Sequence, residues 1–140
     1  MTEATALTSL LEAEHAAIYG YGVLGARLDK PTRELALRAF DAHRVLRNTL
    51  TVTLRSKQLP TPAPLPTYDV TVADRLEAVR LAVRLEGELA VRWRDLVGAT
   101  DDPALRKLAI TALQETAVRD AGWRRTGRIA PLTNPFPGQA

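Results

Sequence analysis

The chain has 140 residues, no cysteine, 46% hydrophobic and 25% charged residues, and a net charge of +3. These values fit one soluble globular domain spanning residues 1–140, and they exclude disulfides, zinc–thiolate sites, thiol nucleophiles and iron–sulfur clusters. No apolar run is long enough for a transmembrane helix, and the 19 basic residues are interspersed with 16 acidic ones, so nucleic-acid binding is not expected.

Ala and Leu abound while aromatics are only 5%, which favours helices. The start, Met1-Thr-Glu-Ala-Thr5, is acidic and leads into no signal-like apolar block. A cytoplasmic location is the expectation. The first helix is predicted from about Thr5 to Arg27. At ~100° per residue, Leu7, Leu10, Leu11, Ile18, Tyr21, Gly22, Gly25 and Leu28 share one face. Glu14 falls near the middle of that face and His15 at its edge. A carboxylate there is costly unless something compensates it.

Asp29-Lys30-Pro31-Thr32 closes the first helix and opens a second, from about Pro31 to Lys57. Its stripe is Leu35, Ala39, Ala42, His43, Leu46, Leu50 and Leu54, again with one polar member, His43. The short link predicts an antiparallel hairpin. From Gln58 to Asp69 four prolines forbid helix and favour extended geometry. At ~3.1 Å per residue this segment reaches roughly 35 Å, the length of a neighbouring helix. It therefore reads as a crossover that makes the second and third helices parallel; a loop folded on the surface is the alternative.

The third helix is predicted from about Val72 to Val97, with Thr71 as its cap. Leu76, Val79, Val83, Glu86, Ala90, Trp93 and Val97 form its stripe, so Glu86 is a second carboxylate on an apolar face. Gly98 to Pro103 reads as a stop and restart, with Asp as cap and Pro opening the fourth helix, from about Pro103 to Arg125. Its stripe holds Leu105, Leu108, Ala109, Ala112, Thr116, Arg119 and Trp123, with Glu115 at the edge. The tail, residues 128–140, has no periodicity. Its Ile129, Leu132 and Phe136 are expected along the bundle, or on a partner protein.

One-sided stripes thus direct Glu14, His43, Glu86, Glu115 and Arg119 toward a common interior. Helical bundles lined by carboxylates and histidines can hold paired iron or manganese ions, with one Glu from each of two helices and Glu-x-x-His from the other two.

Over residues 5–125 the chain resembles the ferritin-like superfamily. The resemblance rests on Leu7, Leu10 and Leu11 followed by Glu14, Ala17 and Tyr21. More narrowly, it looks like an actinobacterial ferritin-like domain family of unknown function. That likeness rests on His15-Ala-Ala-Ile-Tyr19, Ala42-His43-Arg44, Trp93, Trp123-Arg124 and Pro135-Phe136-Pro137-Gly138. The resemblance implies an all-α four-helix bundle in which Glu14 and Glu86 occupy ligand positions. Tyr21 would be a nearby redox or hydrogen-bonding group.

The departures from that pattern weigh against a full metal centre. Phe40 stands where the second helix would carry its Glu, and the fourth helix has no His. Depending on register, Val118 or Arg119 takes that place, paired with Glu115 or Thr116. Glu12-x-x-His15 points away from the apolar face.

Three readings follow. The favoured one is a non-catalytic structural or interaction protein without cofactor, its degenerate metal site replaced by a buried network of Glu14, His43, Glu86, Glu115, Arg119 and Tyr21. The alternative is a reduced iron or manganese protein, or oxidase, using Glu14, His43 and Glu86. The third is a small-ligand or nucleic-acid binder using Arg119 or the basic surface. A homodimer through the first two helices is expected from the glycines near Tyr21.

Overall fold

The computed structural model describes residues 1–139, so Ala140, the last residue of the expected tail, lies outside the described residues. Four long helices account for most of it, and the described residues contain no strand. Helix α1 is Glu3–Leu24, followed by a single 3₁₀ turn at Gly25–Arg27. Helix α2 is Lys30–Ser56, α3 is Arg75–Ala99 and α4 is Pro103–Gly127.

Local chemistry sets the ends. Thr2 caps α1 through its side-chain oxygen. Asp102 accepts from the amides of Ala104 and Leu105, and Pro103 follows at the first helical position. The start of α3 differs from expectation. Thr71 is not its cap; Asp74 is, accepting from Glu77 N at 2.9 Å while the Glu77 carboxylate takes the Ala73 amide at 2.7 Å. Reciprocal satisfaction of this kind outcompetes a lone threonine three residues earlier.

The apolar stripes bury as two clusters. One joins Leu7, Leu10 and Leu11 of α1 to Leu50 and Leu54 of α2, Trp93 and Leu96 of α3 and Leu105 of α4. The other joins Tyr21 and Leu24 to Ala36, Val79, Ala82 and Trp123. Helix α1 packs on both α2 and α3, and α3 packs on α4. Gly20 lies at one of these approaches: a Cβ there would sit 2.7 Å from Leu85 Cδ1 of α3, and that side chain would have to shift. Gly22 and Gly25, by contrast, face open space.

Two leucines of the expected stripes are misplaced by periodicity alone, as is the exposed Gly22. Leu35 and Leu76 are 40% and 42% exposed. The buried set of α2 is Thr32, Ala36, Ala39, His43, Leu46, Leu50 and Leu54, a seam stepping by four and three that Leu35 narrowly misses.

The proline-containing segment between α2 and α3 lies against α1. Leu59 packs on the first cluster, and Val70 and Val72 belong to the second. Between them His15 Nε2 meets the Pro62 carbonyl at 3.0 Å, Tyr19 meets Thr67 at 3.3 Å, and Arg27 donates to Val72 O at 3.1 Å. The run from His15 to Tyr19 therefore has a local task, seating this segment. In the tail, Ile129 packs on the second cluster, but Leu132 and Phe136 are exposed. The tail instead seats Gly138, with φ of +85°. A Cβ there would lie 2.7 Å from Ala90 O, and Arg94 donates to the Gly138 carbonyl.

The capping assignment is testable. Asp74→Ala should lower stability by about 1 kcal/mol, whereas Thr71→Ala should change it by less than about 0.5 kcal/mol, both read from urea unfolding by circular dichroism.

Candidate functional site: a buried ladder of alternating charge

Between the two apolar clusters lies a polar layer. Glu14, His43 and Glu86 are each 0% exposed, and each comes from a different helix. Burial of three titratable side chains in a core this size demands mutual compensation. His43 supplies it. Its Nδ1 lies 2.8 Å from Glu14 Oε2 and its Nε2 lies 2.9 Å from Glu86 Oε1. Burial alone would push the imidazole pKa down. The two carboxylates outweigh that effect and raise it to about 9. At neutral pH both ring nitrogens therefore carry protons and donate, one to each carboxylate.

Helix α4 adds the last rung. Arg119 Nε donates to Glu86 Oε2 at 3.2 Å and its Nη2 donates to Thr116 Oγ1 at 3.3 Å. The order is carboxylate, imidazolium, carboxylate, guanidinium, a neutral sum of four charges from four helices. Glu86 receives one further donor, which is itself held in place by a second. The Tyr21 hydroxyl donates to its Oε1 at 2.5 Å, and Trp123 Nε1 donates to the Tyr21 oxygen at 3.0 Å. The Tyr21 ring stacks on the His43 ring at 5.5 Å.

The two carboxylates differ accordingly. Burial works to raise the pKa of Glu86, but His43, Arg119 and Tyr21 together overcome it and hold the group below the ordinary value. Glu14 has only His43 as a direct partner, so burial prevails and its pKa is raised. Its Oε1 is buried with no hydrogen-bond partner among the described residues. Burial, with the Glu86 charge, pushes the Tyr21 phenol well above its usual range, so it stays a hydrogen-bond donor.

The structure thus brings Glu14, Tyr21, His43, Glu86 and Arg119 together. Glu115 does not join them: it lies on the exposed face of α4. The register that turns Thr116 and Arg119 inward rotates Glu115 and Val118 outward. Sequence reading missed the indole N–H of Trp123 as a hydrogen-bond donor to the site. The available signal was its place four residues beyond Arg119 on the same stripe. Glu12 is exposed, and His15 turns to Pro62.

This donor set does not fit a pair of metal ions. Both nitrogens of the only inward histidine face carboxylates, and both oxygens of Glu86 are already engaged. Helix α4 offers a fixed cation where a ligand would be needed. Among the described residues, no group of three or more His, Cys, Asp or Glu side chains is arranged to hold a metal ion.

The titration of the ladder sets a pH dependence. His43 has a folded pKa above its unfolded value of 6.5. Its contribution is therefore complete below about pH 6.5 and is lost as pH rises through about 9. Glu86, held low, contributes above its ordinary value of 4.5 and loses that contribution as pH falls below it. Glu14, held high, opposes folding above pH 4.5. The unfolding free energy read from urea titrations should decline as pH rises from about 6.5 through 9, by on the order of 3 kcal/mol once His43 is fully deprotonated. In His43→Gln the alkaline decline should disappear.

No helix among the described residues is long and apolar enough to cross a membrane. The chain is similar to a conserved hypothetical protein from Mycobacterium tuberculosis known from a crystal structure. The two share 34% sequence identity and superimpose with a TM-score of 0.85, over 89% of this chain and 96% of the other. No curated protein matches the chain. A family model matches residues 6–140, and the chain accordingly belongs to the family described as Domain of unknown function (DUF4439).

Proposed function

We propose that this protein is a ferritin-like four-helix bundle acting as a non-catalytic structural or interaction protein, with an ion-pair ladder in the position of a metal centre. The observation that carries this reading is the placement of His43, bonded through both nitrogens at 2.8 and 2.9 Å to carboxylates of two other helices. A histidine used in this way is a bridge between helices rather than a ligand. The ferritin-like assignment draws support from the spacing of Glu14 and Tyr21 on one buried face. It draws further support from Leu59 and Val72, which fasten the proline-containing segment to opposite clusters, as a crossover between parallel helices requires.

The interaction role draws on the outer face of α2. Leu37, Val45 and Val52 are each more than half exposed there. Together with the open Gly22 and Gly25 they would suit self-association of α1 and α2 into a homodimer. Light scattering on the purified chain should then give twice the monomer mass, and Val45→Lys should return it to the monomer.

A second reading, a reduced iron or manganese site on Glu14, His43 and Glu86, is favoured by one observation: the unpartnered, buried Oε1 of Glu14. Metal analysis of protein grown with added iron and manganese separates the two. The ladder reading expects trace metal; stoichiometric metal would sink it. The ladder also orders the cost of neutral substitutions. Glu86→Gln, which strands His43 and Arg119, should cost about 3–5 kcal/mol. Glu14→Gln, which loses one partner and relieves one desolvated charge, should cost roughly 1–3 kcal/mol. Equal costs in chemical denaturation would contradict this division of labour.

A further inference from the structure

Helices α2 and α4 do not close against each other along their whole length. Toward the end of the bundle that holds Trp123 they leave a groove of about 360 Å³, within the range of roughly 300–1,000 Å³ typical of ligand pockets. Its walls are apolar: Leu35, Ala42, Val118 and the edge of Trp123. Leu35 and Val118 are 40% and 72% exposed, so apolar surface is left in contact with water on both sides.

The charged groups of this groove are all of one sign. Arg38 of α2 and Arg119 and Arg125 of α4 line it, with no aspartate or glutamate among the lining residues. Some surface arginines are paired with a carboxylate, as in Arg44 with Asp41, Arg75 with Asp29 and Arg124 with Asp120. Arg38 and Arg125 have neither an ion pair nor a side-chain hydrogen bond among the described residues. Arg119 spends Nε on Glu86 and Nη2 on Thr116, which leaves its Nη1 donors unspent. Three guanidinium groups therefore line a trough whose other lining residues are apolar, a combination that suits an anion with an apolar body.

We propose that the α2–α4 groove binds a small amphiphilic monoanion, of the medium-chain carboxylate class, with its apolar body between Leu35 and Val118 and its carboxylate facing Arg38, Arg119 and Arg125. The guanidinium fork suits a carboxylate's paired oxygens. The apolar body covers surface that the fold leaves bare. This site is separate from the interpretation of the buried ladder. It uses only the outward side of Arg119 and stands whether or not a metal ever binds Glu14.

The test is calorimetric titration of the whole protein with octanoate, with octanol as the uncharged counterpart and acetate as the anion lacking an apolar body. Octanoate should bind saturably at one equivalent, and octanol and acetate at least tenfold more weakly. The double substitution Arg38→Gln/Arg125→Gln should weaken octanoate at least tenfold. Both residues are exposed and lie outside the ladder, so the urea midpoint of the double variant should match that of the parent. Octanol binding as tightly as octanoate would leave only a greasy trough, and acetate binding as tightly would leave only a basic patch. Either result overturns the proposal, as does absence of saturable octanoate binding or unchanged affinity in the double variant.

Discussion

One imidazole between two carboxylates is the constraint around which this bundle is built. Four helices of the lengths seen here could pack on leucine and alanine alone. Once Glu14 and Glu86 are placed on inward faces, the interior must provide two positive charges at matching positions. His43 meets that demand for both at once, and Arg119 completes it from the fourth helix. Register, rotation and separation of α1, α2 and α3 are then fixed together, because a ring with its two nitrogens bonded on opposite sides tolerates little displacement of either partner. Leucine packing at one end and the Tyr21–Trp123 contact at the other flank the layer.

The asymmetry of the ladder follows from its position. Glu86 sits in the middle, with donors from three helices, and remains ionised despite complete burial. Glu14 is the terminal rung, with one donor and one oxygen left over. Arg119 is the opposite terminus. It is 18% exposed, so it joins the interior to solvent. The same guanidinium thus ends the buried network and borders the open groove between α2 and α4.

Much of this could be read from residue order. The four helices follow from apolar periodicity, and their ends from Asp102, Pro103 and the prolines after Ser56. Glu14, His43 and Glu86 announce themselves as polar residues at positions where leucine is expected. What residue order did not resolve is rotation to within a fraction of a turn. Glu115 and Thr116 are neighbours about 100° apart, and only packing decides which faces inward. Leu35 and Leu76 fall just outside the buried seams for the same reason. The start of the third helix differs for another reason: Thr71 directly precedes the apolar Val72 and so resembles a cap, whereas Asp74 and Glu77 act as a pair. His15 could not be assigned because its partner is a backbone carbonyl 47 residues away, which leaves no local pattern.

The neutrality of the ladder also shapes how such a sequence can change over time. Each rung is balanced by its neighbours, so replacing any single one strands a buried charge, while replacing several at once by apolar residues of similar volume need not cost stability. Routes from this interior to a wholly apolar one therefore descend through less stable intermediates before they recover. A marginally stable fold crosses such a valley with difficulty. The polar layer can therefore persist by mutational isolation alone.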